Sequence, residues 1–88
     1  MTLELALTAA GYLAEGARRR VVEMETERIQ LNLLREQADF AVRAGNAKAF
    51  KALCEMMEVV AARINKLDNE RIDFIKAVYQ LRLKFDGR

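Results

Sequence analysis

From Phe50 to Phe85 the chain places a side chain on one line at alternating steps of three and four. The stops are Phe50, Leu53, Met57, Val60, Ile64, Leu67, Arg71, Phe74, Val78, Leu81 and Phe85, and only Arg71 is polar. No proline or glycine interrupts the run. A 3.5-residue period held over five heptads predicts a helix supercoiled left-handedly against another helix. Asn65 to Glu70 is polar, but the period crosses it without slipping, so one continuous helix is expected.

The first half of the chain is also helical in pattern, though less regular. Thr2 suits an N-cap, with Glu4 in the first turn. Leu3, Ala6, Ala10, Leu13 and Ala17 recur at helical spacing. Gly11 and Gly16 each weaken a helix by about 1 kcal/mol relative to alanine, which predicts fraying or a bend near Gly16. Beyond Ala17 two apolar stripes run on nearly opposite sides. One is Val22, Ile29, Leu33 and Phe40; the other is Met24, Leu31, Leu34 and Ala38. Two such stripes call for two neighbours.

Between the halves stands Arg43-Ala44-Gly45-Asn46. Gly45 suits the left-handed position that ends a helix, and Asn46 suits the N-cap of the next. Asp39 and Arg43 are spaced for an i,i+4 ion pair just before the turn. So short a connection makes the flanking helices antiparallel neighbours. The expected fold is all-α: a long antiparallel two-helix hairpin, coiled-coil-like, with helices over 2–43 and 46–86 and a turn at 44–46. Opposed residues should then have numbers summing to about 90. This sets Phe40 against Phe50, Leu33 against Met57, Val22 near Leu67 and Tyr12 against Val78. At the open end Leu3, Leu5 and Leu13 join Tyr12 against Phe74, Val78, Leu81 and Phe85.

A two-helix layer leaves one side of each seam residue in water, and a lone hairpin is marginal. The surplus apolar residues, Leu31, Leu34, Ala38 and Ala41 of the first arm and Ala52, Met56 and Val59 of the second, form the expected interface. Their simplest cover is a second copy, giving a homodimeric four-helix bundle. The competing cover is a helix of another protein. Arg71, alone in the seam, either snorkels to the rim or sets register with Glu15, its nearest acidic neighbour by level.

Composition narrows the function. The 88 residues include no histidine, serine, proline or tryptophan, and the net charge is +2. Imidazole bases, imidazole metal ligands and serine nucleophiles are therefore excluded. Cys54 is the single cysteine, so no internal disulfide can form, and it reads as a small apolar residue in a reducing compartment. Glu55 and Glu58 share a helix face but lack the histidines of a di-metal bundle. No cofactor, metal or small-molecule substrate is expected, and no enzymatic activity. The Arg18-Arg19-Arg20 cluster is followed at once by Glu23, Glu25 and Glu27. Arg19–Glu23 is spaced as an ion pair, and no aromatic is interleaved, which argues against nucleic acid. No apolar run reaches the roughly 20 residues of a membrane span, and the Glu4-bearing N-terminus is unlike a secretory signal. The cytoplasm is the expected location.

The turn stretch Arg43-Ala44-Gly45-Asn46-Ala47-Lys48-Ala49-Phe50 resembles the turn of the YscE family. Those proteins are small helical-hairpin co-chaperones of type III secretion needle subunits. The resemblance covers eight residues, implies a cytoplasmic chaperone and carries over no functional residue. The residues themselves point to a non-enzymatic protein–protein interaction module, a self-associating adaptor or secretion-type chaperone. The alternatives are a small phage or mobile-element protein that inhibits a host protein, and a nucleic-acid-associated helical bundle.

Overall fold

The computed structural model describes residues 2–86, with side chains to residue 84. It contains two helices, α1 (Leu3–Arg43) and α2 (Ala47–Asp86), folded into an antiparallel hairpin 65 Å long and 17 by 13 Å across. The Thr2 side chain accepts a hydrogen bond from the Leu5 N–H (3.2 Å) and so caps α1. At the other end the Gly45 N–H donates to the Val42 carbonyl and the Asn46 N–H to the Ala41 carbonyl. That double bond is the Schellman arrangement, and it needs Gly45 in the left-handed region, at φ 67°. Asn46 Oδ1 accepts from the Ala49 N–H (3.0 Å) and starts α2. The Asp39–Arg43 pair forms at 3.1 Å. The turn is built as its four residues predict.

α2 continues unbroken through Asn65–Glu70. Its seam is the one the spacing predicts. Val60 is buried, every other stop from Leu53 to Leu81 is half-buried, and Phe50 at the turn is more exposed. The Phe85 contact lies outside the described side chains.

The pairing sum also holds. Arg20 meets Glu70 and Glu27 meets Arg63 across the hairpin, and each pair of numbers sums to 90. Gly16 faces the Phe74 ring at the same sum.

The face that α1 presents differs from the expected one. Its inward line is Ala6, Ala10, Leu13, Ala17, Arg20, Met24, Glu27, Leu31, Leu34, Ala38 and Ala41, again at alternating steps of four and three, and all of these are buried or half-buried. Ala38 is 5% exposed, whereas Phe40 is 72% exposed. Val22, Ile29, Leu33 and Tyr12 are likewise more than half exposed, so the larger side chains assigned to this arm's inner face lie outside the seam. The reason is steric. α2 offers large side chains, and the register sets Ala41 beside Phe50, Ala38 beside Leu53 and Ala17 beside Phe74. Large residues meeting small ones let the layers interdigitate, while Phe40 against Phe50 would overpack the layer. The fraying expected near Gly16 does not occur, for a related reason. α1 runs past both glycines, and the Phe74 ring lies against Gly16 so closely that an added Cβ would sit 2.6 Å from a ring carbon.

Candidate interaction surface

Residues beside the two seams fall on two broad sides of the rod, following the heptad order around each helix. One side carries Glu23, Gln30 and Gln37 of α1 with Met56, Arg63 and Glu70 of α2; it is called the Met56 face. The other carries Ala14, Val21, Arg28 and Arg35 with Cys54, Ala61, Asp68 and Ile75; it is called the Ile75 face. The grooves along the rod divide the same way. Arg20, Glu23, Arg63 and Glu70 line one, and Ala14, Ile75, Tyr79 and Arg82 line another.

The middle of the Met56 face is ionic. The Arg20 Nε donates to Glu70 (2.5 Å), its NH1 stands 3.2 Å from Glu23, and its guanidinium lies 5.7 Å from the Phe74 ring centre. Glu27 Oε2 is buried with no hydrogen-bond donor. The Arg63 guanidinium is 3.6 Å away, close enough for attraction but too long for a hydrogen bond.

On either side of this cluster the apolar surface changes sides. Toward the turn, the Met56 face presents Gln30, Leu33, Gln37 and Phe40 of α1 and Ala49, Ala52, Met56 and Val59 of α2. These eight consecutive face positions carry no charge, in a chain that is 32% charged. At the same height the Ile75 face bears Arg28, Arg35, Asp39, Lys51 and Glu58. Toward the open end it is the Ile75 face that is apolar, with Ala14, Val21, Ile75 and Tyr79 around a groove floored by Leu13 and Val78.

The expected interface residues are therefore not one surface. Leu34, Ala38 and Ala41 are buried between the helices and Leu31 is half-buried there, so they hold the hairpin together and cannot form an outer contact. Ala52, Met56 and Val59 are exposed. Their companions on α1 are Leu33 and Phe40, residues that the sequence pattern assigns to the inside. A register shared with the turn-side alanines was the available signal.

Glu15 and Arg71 do not meet. Arg71 is hydrogen-bonded to Asp68 on its own helix (3.0 Å). Glu15 is held by Arg18 (2.7 Å) and lies 3.5 Å from Arg19. The Arg18 hydrogen bonds, opposed by desolvation and helped by the Arg18 charge and by Arg19, keep the Glu15 carboxyl down at about 2. Arg19 turns to Glu15 rather than to Glu23, because Arg20 already occupies Glu23. All three arginines of the cluster thus have acidic neighbours within the molecule.

Cys54 is half-buried, and Glu55 and Glu58 are exposed. Among the described residues no three metal-ligating side chains gather at one point, and no helix is long and apolar enough to cross a membrane. No protein-family model, curated protein or solved structure matches this chain.

Proposed function

We propose that this chain is a non-enzymatic protein–protein interaction module, a self-associating adaptor or secretion-type chaperone that holds a partner protein. The observation that carries this reading is the incomplete burial of the seam. Of the ten α2 stops from Phe50 to Leu81 only Val60 is buried, while Leu33, Phe40, Met56, Val59, Ile75 and Tyr79 stand in water around it. Each such side chain gains about 1.5–3 kcal/mol when fully covered. A single helical layer leaves that gain to another protein surface. The rod shape supports the reading, because helices laid alongside it can be added without changing its fold. Its free cysteine fits work in the reducing cytoplasm.

Sedimentation velocity and thermal melting across a hundredfold concentration range test this. Self-association should raise both the mean mass and the melting temperature with concentration. A cooperative monomer with a concentration-independent melting temperature would sink the self-associating reading.

A further inference from the structure

We propose that the uncharged turn half of the Met56 face is covered by a second copy of this chain, packed antiparallel about a two-fold axis beside Met56. This rests on the self-association read above and names its surface and geometry.

Three observations converge on that occupant. The first is where the patch stops. Gln30, Leu33, Gln37, Phe40, Ala49, Ala52, Met56 and Val59 span about two heptads of each helix without a charge. Beyond them Glu23, Arg63 and Lys66 begin. Copies lying side by side with their turns at the same end would cover this ionic cluster along with the patch, and removing those charges from water is costly. Antiparallel copies overlapping only at their turn halves leave the cluster in solvent.

The second is self-complementarity. A two-fold axis requires that when one residue meets another, the second also meets the first in return. An axis level with residues 36 and 37 of α1 brings Leu33 opposite Phe40 of the second copy. The hairpin register, in which opposed numbers sum to 90 or 91, places that level at residues 53 to 55 of α2. Just beside it, at residues 55 and 56, an axis brings Ala52 opposite Val59 of the second copy and sets Met56 beside its own symmetry mate. One axis thus satisfies both helices to within two residues, about 3 Å along the rod, and each facing pair is apolar. Gln37, level with the axis, can hydrogen-bond to its own symmetry mate without bringing in charge.

The third is extent. The overlap runs about 20 Å along four helices at 1.5 Å per residue. It uses a face whose large side chains are half or more exposed: Leu33 53%, Met56 50% and Val59 53%. The Ile75 face at this height has five charges and offers no equivalent.

The test combines a substitution, a cross-link and a shape. Leu33→Glu and Val59→Glu alter side chains that the hairpin itself leaves in water, so circular dichroism should stay helical. Each should weaken dimerisation at least tenfold in sedimentation. In a Cys54→Ala background, Met56→Cys should form a disulfide-linked dimer on mild oxidation, while Gln80→Cys should not. Small-angle scattering should give a longest dimension of about 110 Å, from two 65 Å rods overlapping by about 20 Å. Side-by-side copies would stay near 65 Å and would overturn the antiparallel geometry. If the wild type self-associates but Leu33→Glu and Val59→Glu leave it unchanged, or Gln80→Cys cross-links as readily as Met56→Cys, this face is not the interface and the self-association reading survives. A wild type that remains monomeric throughout overturns both.

Discussion

Two glycines five residues apart on one helix have opposite environments. At Gly11 an added Cβ would meet nothing within 4 Å, whereas at Gly16 it would come within 2.6–2.9 Å of three Phe74 ring atoms. Gly11→Ala should therefore stabilise the chain by up to about 1 kcal/mol through helix propensity alone. Gly16→Ala gains the same propensity but drives the Phe74 ring from its place, and overpacking costs about 1–3 kcal/mol. Its net effect should be a loss of about 1 kcal/mol. Thermal melts separate the two, since 1 kcal/mol moves the midpoint by about 4–8 °C in a domain of this size. Equal gains at both positions would show that Phe74 is free to shift and that Gly16 is no packing site.

At the scale of the elements, α2 and the turn were legible and the inner face of α1 was not. Large apolar side chains mark the α2 seam, and Gly45 and Asn46 have few other uses in such a setting. The α1 seam is five alanines, two charged residues, three leucines and a methionine, so by hydrophobicity it reads weaker than Val22, Ile29, Leu33 and Phe40. That louder stripe steps by seven, four and seven and touches only alternate turns. Regularity of period, rather than size of side chain, was the better guide, because α2 supplies the bulk and α1 needs to supply room. The surface inference inherited this error on one helix and escaped it on the other, which is why Met56 and Val59 were found and Leu33 and Phe40 were not. The polar layer invites a test at this scale. Arg20 and Arg71 both lie on the inward lines at one height, and Arg71 is bound only to Asp68 of its own helix in the hydrogen bonds described. Arg71→Leu removes one of two like charges and adds partly buried apolar surface. It should raise the melting temperature by a few degrees, corresponding to about 1 kcal/mol, with no change of oligomeric state. A fall of several degrees would mean that the Arg71–Asp68 pair supports the layer more than its charge burdens it.

Taken whole, the molecule is a rod closed at one end by three residues and open at the other. The Gly45 turn makes the two ends unequal in a way that the static contacts do not express. Layers next to the turn can re-form after breaking with almost no chain to bring together. Layers at the open end rejoin residues more than 60 positions apart, and the entropy of closing that loop grows with its length. The arms should therefore come apart like a zipper, from the termini inward, through partly open states of graded free energy. Native-state hydrogen exchange would register this as a protection profile that mirrors itself about Gly45. The Ala10 and Val78 amides should exchange well before those of Leu34 and Met57, at matching rates on the two arms. Uniform protection from end to end would instead mean that the rod opens in one step. With the graded profile, the open half spends measurable time as two separate helices, and a protein that captured it there would meet the inner seam itself.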